Sequence, residues 1–88
     1  MERERYYELR NYVYDLEEVR GAFEDCGCIE DYNATVDDYN DINNVYNHYD
    51  IDKIKEDEEI DEYGFQEAKE EAIRTIDSII QEVKDLFE

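Results

Sequence analysis

Between Phe65 and Phe87 apolar side chains recur at helical intervals: Phe65, Ala68, Ala72, Ile76, Ile79, Ile80, Val83 and Phe87. That spacing follows the turn of an α-helix and puts every one of these residues on a single stripe. Ile60, just before a capping Asp61, is placed to pack on Phe65 as a hydrophobic staple. A second stripe, Leu9, Tyr12, Val13, Leu16, Val19 and Phe23, predicts a helix over residues 2–24. Two long amphipathic helices must cover each other's apolar faces. The chain has no proline and little strand-like alternation, so a sheet is disfavoured.

Between these helices the pattern is shorter. Residues 25–36, with Gly27 and a polar mixture around Tyr32, read as a loop. Asp37 or Thr35 can cap a second helix with Tyr39, Ile42, Val45, Tyr46 and Tyr49 as its buried stripe. Asp37, Asp41, Asn44 and His48 fall on its other side. Ile51 would lie about 180° from Ile42 on a continued helix, so a turn at Asp50 is expected. A short helix from Ile51 to about Asp57, anchored by Ile51 and Ile54, completes the prediction. The expected fold is all-α: a small three-helix bundle with an extra short helix around 51–57, in one acidic domain spanning residues 1–88.

Charge is distributed very unevenly. Residues 24–62 hold fifteen Asp and Glu against Lys53 and Lys55, a net −13 of the chain's −19. Such a surface repels nucleic acid and anionic membranes and attracts basic proteins. No apolar run reaches the length of a membrane span, and a cytoplasmic location is the expectation. Cys26 and Cys28, one residue apart, would strain a disulfide and read as free thiols in a turn. Asn33-Ala34-Thr35 is a glycosylation acceptor only in a secreted protein and reads as chance here.

Site chemistry is largely excluded. An EF-hand loop needs oxygen ligands at positions one, three and five, glycine at six and glutamate at twelve. Started at Asp31, the sixth and twelfth residues are Val36 and Ile42; started at Asp50, they are Lys55 and Asp61. For zinc, Cys26, Cys28 and the single His48 supply three ligands where four are needed. Ser78 is the sole serine and no glycine-rich phosphate loop exists. No enzyme activity, metal or cofactor is expected.

The acidic middle has another use. Its 39 residues, if wholly helical at about 1.5 Å each, would span about 58 Å, or one net charge per roughly 4.5 Å. One strand of DNA carries a charge per about 3.4 Å. Asn40, Asn43, Asn44 and Asn47 add donors and acceptors of the kind base edges present. In being tiny, acidic, helical, rich in Tyr and Asn and free of catalytic motifs, the chain resembles the DNA-mimic inhibitors of phages and mobile elements, the anti-CRISPR and anti-restriction proteins. The resemblance implies a partner with a basic nucleic-acid-binding cleft, a CRISPR effector or a restriction enzyme, and no direct contact with nucleic acid. On that reading Asp37, Asp41, Asp50, Asp52 and Glu56 stand in for phosphates, as do Asp57, Glu58, Glu59, Asp61 and Glu62. Asn44 lies on the same face, and Tyr32 and Tyr63, at loop edges, would stack on the partner's arginines. The alternative is an acidic helical interaction or regulatory module, a homodimer or a binder of a basic cellular protein, docking through Tyr7 and Tyr14 or through the incompletely covered tyrosines of the second helix. Tyr7 and Tyr14 face outward at helical spacing, as aromatics at protein interfaces do.

Overall fold

A computed structural model describes residues 3–43, 49–55 and 59–87. Three helices follow in order: α1 (Arg3–Asp25), α2 (Ile29–Asn43) and α3 (Glu62–Phe87), with no strand among the described residues. They form an elongated all-α bundle of 48 × 19 × 19 Å. No helix among the described residues is long and apolar enough to cross a membrane.

α1 and α3 run antiparallel and bury the α1 stripe and the middle of the α3 stripe read from the sequence; the Phe87 side chain lies outside the described part. All six apolar residues of the α1 stripe are buried. They meet Ala72, Ile76, Ile79, Ile80 and Val83 of α3, while Phe65 and Ala68 are half-buried. Fully burying each large aliphatic or aromatic side chain here contributes about 1.5–3 kcal/mol. The seam is fastened at its edges. Arg20 Nε donates to Asp77 Oδ1 at 2.6 Å and Arg20 Nη1 to Glu24 Oε1 at 2.6 Å. Lys69 Nζ reaches the carbonyls of Glu24 at 3.1 Å and Cys26 at 2.9 Å. α1 has no base in its last turn, so Lys69 of α3 supplies the cation its carbonyl end favours.

α2 begins well before Asp37, inside the stretch expected to be a loop. Ile29, Tyr32, Val36 and Tyr39 are spaced three, four and three, and this stripe turns residues 29–36 into helix against α1. The Tyr32 ring lies 5.3 Å from that of Phe23 and 6.1 Å from that of Phe65. Cys28 precedes the helix and its Sγ accepts from the Asp31 amide at 3.5 Å. Glu30 and Asp31 occupy the first turn, where the helix dipole favours negative charge. Cys26, by contrast, is buried and its thiol donates to the Phe23 carbonyl at 3.1 Å.

The expected helix at 51–57 is replaced, over residues 51–55, by an irregular strap. Residues 56 and 57 lie outside the described residues. The strap runs antiparallel to α2 and fills the groove between α2 and α3, with Ile51 and Ile54 buried as anchors. Asn33 holds it: Asn33 Nδ2 donates to the Ile54 carbonyl at 2.7 Å, and the Ile54 amide donates to Asn33 Oδ1 at 2.8 Å. Tyr39 Oη donates to the Tyr49 carbonyl at 2.7 Å. These side chains satisfy backbone groups that a helical turn would have satisfied internally, which leaves the segment outside any helix. Tyr49 is therefore a strap residue, 40% exposed, and not part of a buried helical stripe. Val45, Tyr46 and His48, assigned to that stripe and its polar side, lie outside the described residues.

At the start of α3, Asp61 caps the helix as expected: the Gly64 amide donates to Asp61 Oδ1 at 2.8 Å. A Cβ on Gly64 would lie 2.9 Å from Ile60 Cγ1. Glycine at this third helical position lets Ile60 cross the first turn toward Phe65, the staple geometry the sequence predicts.

Candidate functional site

Every Asp and Glu among the described residues is exposed. Their surroundings differ by helix. Seven of the nine bases of the chain belong to α1 and α3; α2 has none. The outward side of α2 carries Glu30, Asp31, Asp37, Asp38 and Asp41. Its 15 residues span about 22 Å, so these five carboxylates fall one per about 4.5 Å along the axis. At 100° per residue, Glu4, Glu8 and Asp15 of α1 fall beside Tyr12 and away from Arg20. Tyr12 neighbours Tyr39 of α2, and Arg20 bonds to α3. Asp15 therefore borders α2 and extends its acidic side.

The residues singled out from the sequence divide into groups. Asp37 and Asp41 lie on the outward side of α2, and Asp37 Oδ1 is paired with Lys53 Nζ at 2.7 Å. Asp50 and Asp52 lie on the strap, whose course brings them beside α2 and α3. Glu59, Asp61 and Glu62 gather where α3 begins, close to the Gly27–Cys28 turn. Asp61 is engaged by its capping bond. Asn44, Glu56, Asp57 and Glu58 lie outside the described residues. Tyr63, in the first turn of α3, is 79% exposed.

Tyr32 is a correction. It was expected at a loop edge, free to stack on a partner, but it is 3% exposed within α2. Its ring packs between Phe23 and Phe65, so its face is closed to a partner. Tyr32 instead lines a cleft of about 280 Å³ beside the strap, with Asp50, Asp52, Glu71, Ala68 and Ala72 around it. Burial raises the Tyr32 phenol above its ordinary pKa, and the nearby acidic groups Cys26, Glu71 and Asp52 push it further in the same direction. Tyr39 is raised far more, chiefly by burial and then by Tyr12 and Asp50. Tyr49 is raised by the hydrogen bond its hydroxyl donates to Glu82 Oε1 at 3.0 Å.

Asn33 and Glu71 were not singled out for a site by the sequence. Asn33 carries no periodic signal, and its role depends on a partner 21 residues away. Glu71 is one acid among many on α3 until the strap is placed beside it. Among the described residues no three or more His, Cys, Asp or Glu are grouped to hold a metal ion. Comparison with protein-family models, curated protein sequences and solved structures gave no match.

Proposed function

We propose that this protein is a DNA-mimicking inhibitor that occupies the basic nucleic-acid-binding cleft of a nuclease, a CRISPR effector or a restriction enzyme. The observation that carries the reading is the outward side of α2: five exposed carboxylates, no base in the helix, and a spacing of about 4.5 Å against about 3.4 Å on a DNA strand. Asp50, Asp52, Glu59 and Glu62 are exposed as well and add negative charge outside α2. A cleft lined with Lys and Arg that tracks phosphates would be drawn to that surface by charge alone. Tyr63 offers an exposed ring on which an arginine can stack.

The test is competition. Titrated into a nuclease bound to its labelled duplex, the protein displaces DNA, and the apparent affinity falls steeply as salt is raised. Absence of displacement, or displacement indifferent to salt, rejects the reading. A second reading, an interaction module or homodimer, is favoured by Tyr7 and Tyr14, which are 52% and 57% exposed on α1. Replacing Asp37, Asp38 and Asp41 with lysine separates the two. Mimicry is lost with these charges, whereas a tyrosine-driven dimer survives and remains visible by light scattering.

A further inference from the structure

The cleft beside the strap combines features that the acidity of the chain does not account for. Tyr32 is 3% exposed and lines the cleft; its hydroxyl makes no hydrogen bond with a described residue and is not sealed from solvent. Asp52 and Glu71 are close enough to act on that hydroxyl electrostatically. Neither they nor Asp50 is held in an ion pair among the described residues; Lys53 also lines the cleft, and its Nζ is paired with Asp37 at 2.7 Å. Thr75, also in the lining, has its hydroxyl donated to the Glu71 carbonyl at 3.0 Å. The small side chains of Ala68 and Ala72 leave the floor open. A volume of about 280 Å³ is at the bottom of the range of about 300–1,000 Å³ that encloses whole small molecules. It suits the end of a single side chain.

We infer that this cleft seats one arginine side chain of the partner, its guanidinium held by Asp52, Glu71 and the Tyr32 hydroxyl. A guanidinium presents five N–H donors in a plane and no acceptor, and here three acceptor groups on α2, the strap and α3 converge on one space. An ammonium is a compact, strongly hydrated point charge and gains less from acceptors spread across a cleft. The inference rests on the proposed function for the identity of the partner, and it adds a specific contact to a surface that otherwise attracts by charge.

The probe is N-acetyl-arginine amide, titrated into the ¹⁵N-labelled protein at constant ionic strength, with N-acetyl-lysine amide as control. Saturable amide shifts are expected at Tyr32, Ile51 to Ile54 and Ala68 to Thr75, with arginine bound at least about fivefold more tightly than lysine. Tyr32→Phe, which keeps the packed ring, should weaken arginine binding about fivefold by removing one hydrogen bond. Glu71→Gln, at an exposed position, should weaken it further. Equal response to arginine and lysine, or shifts spread over all the acidic residues, overturns the inference. The two readings fail separately. Duplex displacement without a saturable arginine site leaves the mimic and removes the seat. A saturable site without duplex displacement leaves the seat and removes the mimic.

Discussion

Along the α1–α3 seam, Arg20 bridges to Asp77 and Lys69 reaches two carbonyls of α1, over a core in which Leu16, Phe23, Ile76 and Ile79 have no exposed surface. The other half of the molecule, α2 and the strap, has five carboxylates on a helix with no base of its own, Asp37 alone among them paired with Lys53 of the strap among the described residues, and a backbone segment held largely by side chains. The first region is stabilised by continuous apolar burial and sets seven bases among its fourteen acids. The second buries Tyr32, Val36, Tyr39, Ile51 and Ile54 in the same core, adds a few hydrogen bonds and leaves its charge outward. A small helical chain can carry a large excess charge when its one base-free helix is docked against a frame in which bases offset half of the acids.

The strongest challenge to that contrast is a cavity in the seam. Ile76→Ala removes a fully buried side chain and is expected to cost about 2–5 kcal/mol. Loss of α2 and strap protection together with that of α1 and α3, read by hydrogen exchange, would show that the frame supports the rest. Next in size, Asn33→Ala leaves the amide and carbonyl of Ile54 without their partner, at a cost of about 1–3 kcal/mol. Exchange at residues 51–55 should quicken while α1 and α3 amides stay protected; equal loss everywhere would mean the strap is integral to the frame.

A smaller effect comes from alkaline titration. Tyr39 has its pKa raised mainly by burial, so its contribution to stability is intact below the ordinary phenol value of about 10 and is lost as pH rises through the folded value. Denaturant midpoints should therefore fall as pH passes above about 10. Tyr39→Phe should flatten that fall while costing about 1 kcal/mol at neutral pH through loss of the bond to Tyr49. The least costly change is Arg20→Ala. Its bonds to Asp77 and Glu24 are at the surface, and surface pairs contribute about 0–1 kcal/mol. Salt acts more broadly: melting temperature should climb between about 0.01 and 0.15 M, where the Debye length shrinks from about 30 to 8 Å. A flat profile would mean that the α2 half is compensated as fully as the seam.

Residue spacing foretold α1 and α3 almost to their ends, because long stripes at a fixed interval have few alternative ways to be buried. The start of α2 was misread although its stripe was present: Ile29, Tyr32, Val36 and Tyr39 are interleaved with Glu30, Asp31 and Asn33, and the polar residues beside Gly27 suggested a turn. The strap was misread for a different reason. Ile51 and Ile54 are three apart and suit a helix equally well, and the bonds from Asn33 and Tyr39, both on α2, hold the irregular form instead.

The sequence alone determined the helical class, the two long partners and the placement of excess charge in the middle of the chain, since periodicity and composition are local properties. Tertiary structure decided which acids share a face, that Tyr32 is enclosed, and that a cleft opens between Tyr32, Asp52 and Glu71. Those outcomes depend on how segments distant in the chain come to lie side by side, and no local pattern records that.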